Sequence, residues 1–209
     1  MKARARLTAL QIAYVAVCAA TVTAGKLALS ALPNVEVVTL LLASYGYVFG
    51  PGGVLSAFVF CGVEMLIWGV GSWVILYFVY WPLLALVFAL LGKAGAKNRF
   101  VLTLIACAAT VAFGVLSSLI DTGLFTGFRE NFWSRFALLY ARGAAFYVTQ
   151  IVCNAALFIL LFSPLTALLK KMLPAGLLRR ARAQKTRGRG GKIVENTFNC
   201  LLIEPAERK

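Results

Sequence analysis

Residues 73–91 read WVILYFVYWPLLALVFALL, a run without a single charged side chain. An α-helix needs roughly 20 predominantly apolar residues to cross the ~30 Å hydrocarbon core of a bilayer. This stretch meets that length, and Pro82 within it predicts a kink. Similar runs lie on both sides. Leu7–Ala31, Val37–Phe49 and Val54–Val70 precede it, and Phe100–Ile120 and Phe136–Leu169 follow. The breaks between them carry turn formers: Leu32-Pro33-Asn34, Gly50-Pro51-Gly52-Gly53, and Gly69, Gly71 and Ser72. The last run is over-long, so it is expected to start outside the membrane or to tilt strongly.

Composition agrees. Of 209 residues, 61% are hydrophobic and 13% charged, where a soluble domain carries roughly 25% charged residues. The mean hydropathy is +0.86. The first run is too long, and its successors too many, for a cleaved signal peptide alone. The expected fold is an all-α integral membrane protein. A six-transmembrane-helix bundle fills residues 1–172, and a basic, flexible cytoplasmic tail fills residues 173–209.

The net charge of +14 would suggest nucleic acid in a soluble protein. Here the cations sit at the chain ends and in one short loop. With the N-terminus in the cytoplasm, the inner stretches 1–6, 50–53, 92–99 and 170–209 hold 17 of the 21 Lys and Arg. Such asymmetry fits an even number of spans with both ends inside. The tail, with Arg179, Arg180, Arg182, Lys185, Arg187, Arg189 and Lys192, reads as a solvated or lipid-contacting segment. One RGG copy is a weak basis for RNA binding, so no nucleic-acid partner is expected.

Several chemistries are excluded. The chain has no His, which removes Ser-His-Asp catalysis, HExxH zinc sites and haem–His ligation. It lacks a GxxxxGK[ST] loop, so any ATPase must be another chain. The five Cys contain no CxxC pair, and four lie singly in apolar runs, as buried thiols do. No cofactor is expected.

Three features remain as candidates. Ionisable and amide groups at membrane depth are costly and mark sites or internal pairs. Lys26 and Glu36 flank the first outer loop and could pair with each other. Glu64 lies deepest, Asp121 ends the fifth run, and Arg142, Gln150 and Asn154 punctuate the sixth. Second, Trp68, Trp73, Tyr77, Tyr80 and Trp81 form an aromatic series, with Phe132, Trp133, Tyr140 and Tyr147 later. An interfacial belt would explain some of these, and a wall for a flat, partly polar ligand would explain the deeper ones. Third, Ala9, Ala13, Ala16, Ala20 and Ala24 form a small-residue stripe at helical spacing. It could serve packing within the bundle or docking of another membrane subunit.

The run Ala31-Leu32-Pro33-Asn34-Val35-Glu36, then Thr39 and Phe49-Gly50-Pro51-Gly52-Gly53, resembles S components of energy-coupling factor (ECF) transporters. So do Glu64, Trp68-Gly69, Gly71, Trp73 and Trp81-Pro82-Leu83, and the late Asn154 before Phe162-Ser163-Pro164-Leu165. The resemblance covers about residues 5–170 and leaves out the tail. It implies a six-helix protein of a prokaryotic plasma membrane that binds a vitamin or similar micronutrient near the outer face. Its implied partners are a transmembrane T subunit, docked through the alanine stripe of the first helix, and two cytoplasmic ATPases. By position, the implied ligand residues are Asn34, Glu64, Trp68, Trp73, Tyr77, Arg142 and Asn154. No substrate-defining motif accompanies them. A stand-alone secondary transporter or channel would need coupling-ion groups, for which Glu64, Asp121 and Lys26 are available, and usually an internal repeat, which is not visible. An intramembrane enzyme is disfavoured, because Glu64 and Asp121 lie in unrelated contexts.

Overall fold

The computed structural model describes residues 9–32 and 35–172. The first residues, Pro33, Asn34 and the expected tail 173–209 lie outside the described residues. Helix makes up 88% of what is described, with no strand among the described residues.

Seven α-helices make up most of the described residues. They are α1 (Ala9–Ala28), α2 (Val38–Phe49), α3 (Pro51–Trp68), α4 (Ser72–Ala94), α5 (Arg99–Thr126), α6 (Phe132–Leu157) and α7 (Ser163–Met172). A π-helical turn, Phe158–Phe162, joins α6 to α7. Together these last elements form a helical run of 41 residues. At 1.5 Å per residue that is about 60 Å, roughly twice a hydrocarbon core.

The turns follow local chemistry. Gly50 takes a positive φ of 58° and Pro51 opens α3 at its first position. Glycine tolerates that backbone, and proline needs no N–H there. Asn98 caps α5, its Oδ1 accepting from Phe100 N (3.0 Å) and Val101 N (3.4 Å). At the other end of that loop Gly95 is left-handed and Ala96 N–H returns to Leu91 O at 3.0 Å. α4 continues unbroken through Pro82.

Among the described residues, five helical runs are long and apolar enough to cross a membrane. Their outward faces carry large apolar side chains: Leu66 is 82% exposed, and Leu104 and Leu160 are each 69% exposed. A water-soluble protein rarely presents such a surface. The second apolar run differs. α2 has 12 residues, about 18 Å, and falls short of the hydrocarbon core.

α2 is also the most enclosed element. Val38, Thr39, Leu40, Leu42, Ala43, Ser44, Tyr45, Gly46, Val48 and Phe49 are all buried. Its neighbours are chiefly α4 and α3, with α1 and α7 completing the wall. A helix buried on all sides is apolar all round, and its sequence, VTLLLASYGYVF, is so. Gly46 rests on the α4 backbone at Ala85, and Gly53 of α3 rests on the α2 backbone at Tyr45 and Gly46. Further along α4, Gly92 meets the carbonyl of Tyr47.

Candidate functional site

The short α2 begins well inside the bundle. Its second residue, Thr39, meets Asn154 of α6, which also meets Thr110 of α5. Thr110 lies about 16 Å along α5 from Arg99. α5 continues to Thr126, about 24 Å beyond this level, so α2 begins part-way along it. Non-helical backbone is tolerated at membrane depth only where protein or a cavity surrounds it.

Glu36 closes this helix end. Its Oε2 accepts from Thr39 N at 2.9 Å, and its Oε1 accepts from the Thr39 hydroxyl. That is N-terminal capping by a carboxylate, favoured by the positive end of the helix dipole. Asn154, fully buried, donates its Nδ2 to Glu36 Oε1 (3.1 Å) and Thr110 Oγ1 (3.0 Å). The Cys153 thiol lies 3.8 Å from the Glu36 carbonyl. One carboxylate, two threonines and one amide thus knit α2, α5 and α6 together.

A cavity of about 90 Å³ opens beside this cluster, between Glu36, Val38 and Thr39 below and Tyr77, Tyr80, Trp81, Thr110, Phe113 and Gln150 around it. Its aromatic wall is interlocked edge to face. Tyr80 meets Trp81 at 4.8 Å and Phe113 at 4.9 Å between ring centroids, and Tyr77 meets Trp81 at 5.7 Å. Such pairs fix ring orientation. Trp81 is buried, and its indole N–H has no hydrogen-bond partner. Buried polar groups usually have partners, and this donor belongs to a residue that lines the cavity.

A second polar cluster lies on the other side of Tyr77. Lys26 of α1 forms an ion pair with Glu64 of α3. The ammonium also sits 5.2 Å from the Tyr77 ring and 5.9 Å from the Trp68 ring, within cation–π range. Glu64 is fully buried, and its Oε1 has no partner. Lys26 was expected opposite Glu36. It turns to Glu64 instead, because Glu36 folds under the chain to cap α2.

The residues singled out from sequence therefore separate. Tyr77 and Asn154 come to the cavity and its floor. Glu64 and Trp68 surround Lys26. Trp73 stands behind Tyr77, 5.0 Å between centroids. Arg142 is exposed and lines a different cleft of about 340 Å³ with Asp121, Phe125 and Arg135, between α5 and α6. Asn34 lies outside the described residues. Sequence reasoning passed over Thr110 and Phe113. Phe113 and Asn154 both sit on long apolar helices, and only the polar one gave a signal.

The alanine stripe faces away from the bundle. α1 buries Gln11, Val15, Cys18, Ala19, Val22 and Thr23. Ala9, Ala13, Ala16, Ala20 and Ala24 are all exposed on the opposite side. Packing among the described residues leaves them exposed.

Compared with known proteins, no family model, curated protein or solved structure matches the chain.

Proposed function

We propose that the chain is a membrane solute-binding subunit of the S-component kind. In this reading six segments span a prokaryotic plasma membrane with both termini cytoplasmic, the short α2 counting as one. A micronutrient enters from outside and is held above α2. The subunit then delivers it inward against a T subunit driven by two ATPases.

The observation that carries the reading is the cavity at the amino end of α2, with a carboxylate floor and an aromatic wall. Ligand sites combine apolar and aromatic walls with a few placed polar groups in this way. Its 90 Å³ is below the 300–1,000 Å³ of whole-ligand pockets. It matches one ring or head group, and the remainder of a vitamin-sized ligand would extend outward along α4 and α5. The exposed alanine stripe supports the docking part, since small residues allow close approach of a second helix in lipid.

The deciding experiment is purification of the chain from its native membrane, with partner capture and mass spectrometry of any bound small molecule. A T subunit, two ATPases and one bound solute are expected, and their joint absence sinks the proposal. Ala20→Trp should abolish partner capture while leaving solute affinity within about twofold, because Ala20 faces out of the fold. Equal loss of affinity and capture would mean that α1 shapes the site rather than the interface.

One observation favours a second reading. A helix that begins part-way along its neighbour is also a feature of secondary transporters. Solute counterflow in liposomes containing this chain alone would select that reading.

A further inference from the structure

Charge accounting at the two polar clusters identifies the kind of solute. Two carboxylates, Glu36 and Glu64, and one ammonium, Lys26, lie around Tyr77. The ammonium goes to Glu64. Glu36, which lines the cavity, has no cationic side chain bonded to it among the described residues. The amino end of α2 offsets up to about half a unit of its charge, and the bonds from Thr39 and Asn154 solvate it. The remaining negative potential faces a space walled by Tyr77, Tyr80, Trp81 and Phe113.

The π faces of aromatic rings attract cations, and a cage of several rings is a known means of holding an organic ammonium. A carboxylate beneath such a cage adds a charge-assisted contact. The molecule already contains a smaller version of this arrangement: Lys26 sits on Glu64 between the rings of Tyr77 and Trp68. A second feature refines the guest. The unpartnered indole N–H of Trp81 can only donate, so it calls for an acceptor on the same guest.

We propose that this cavity binds a small organic monocation, an ammonium or N-heterocyclic cation carrying a neighbouring hydrogen-bond acceptor. Glu36 and the aromatic wall hold the charge, and Trp81 holds the acceptor. The inference rests on the reading of the cavity as the solute site and names the class of solute.

The test compares cations with neutral molecules of the same shape, on the purified full chain in nanodiscs by calorimetry. One pair is choline and 3,3-dimethylbutan-1-ol, and the other is 1-methyl-3-hydroxypyridinium and 3-methylphenol. At least one cation should bind about tenfold or more tighter than its neutral counterpart. Glu36→Gln, which keeps an acceptor for Thr39, should erase that preference. Trp81→Phe should weaken choline and leave tetramethylammonium, which has no acceptor, unchanged. The proposal is overturned if no cation binds, if neutral counterparts bind as well, or if Glu36→Gln preserves the preference. Should Glu36→Gln fail to fold, the wild-type comparison and Trp81→Phe still decide. Cation binding without T subunit or ATPases would sink the transport reading and leave this inference standing. Capture of those partners with a neutral or anionic cargo would do the reverse.

Discussion

Lys26→Met destabilises the protein by about 3–5 kcal/mol, the range for leaving one member of a buried ion pair alone. The reason is Glu64. It is 0% exposed, and its Oε1 has no hydrogen-bond partner even in the intact protein. Without Lys26 it is an unpaired carboxylate enclosed by apolar helices. Glu64→Gln costs less. Lys26 keeps 29% side-chain exposure, lies in the last turn of α1, and can lift its ammonium towards water while its stem stays packed. The Lys26→Met/Glu64→Gln double variant therefore recovers most of the loss, since a buried pair replaced by neutral groups is often no worse than the pair. Thermal unfolding of the four proteins in one detergent measures the cycle. A Lys26→Met variant as stable as Glu64→Gln would refute the asymmetry and, with it, the enclosed carboxylate.

That pairing also marks the limit of what the sequence disclosed. Five of the six apolar runs were readable as long helices because hydropathy over about 20 residues is a strong signal. Their ends were less so. The fifth was expected to stop near Ile120, yet α5 runs through Asp121 to Thr126, as one acid does not end a helix while its backbone bonds continue. Nothing in Phe158–Phe162 announced a π turn. Polar residues at depth stood out because each is costly in lipid, and Glu36, Glu64, Gln150 and Asn154 all occupy polar clusters or the cavity. Their partners depended on which helices meet. Lys26 and Glu36 are ten residues apart in sequence and looked like a natural pair, but Glu36 is drawn to the free amides of α2. Thr110 bonds back to Ala106 O at 3.0 Å, as any threonine in a membrane helix can, so its second role towards Asn154 left no trace in sequence. The alanine spacing was visible, but its facing was not. Only the burial of Gln11, Cys18 and Val22 on the other side decides it.

Gly46→Ala carries the other large effect, about 3 kcal/mol, the upper end of overpacking costs. A methyl group added there would overlap the carbonyl oxygen of Ala85 and crowd its carbonyl carbon (2.9 Å) and Cα (3.0 Å). Those are backbone atoms of a long helix, so no rotamer change relieves the contact. α2 is held similarly by Gly53 and Gly92, and this clasp fixes the depth at which the helix starts. If α4 is pushed away from α2, Tyr80 and Trp81 move with it, only a little over one turn from Ala85 along the same helix. Solute affinity should then fall together with stability, while variants of the ion pair act chiefly on stability. Gly62→Ala serves as the control. It is also a helical glycine, but a methyl group there would meet nothing within 4 Å, so it should be neutral or stabilise by about 0.4–1 kcal/mol. Unfolding temperatures and solute binding for both variants, measured side by side, separate a close backbone contact from a general dislike of alanine. Equal behaviour of the two would show that α2 is not clasped at Gly46, and the fixed floor beneath the cavity would lose its structural cause.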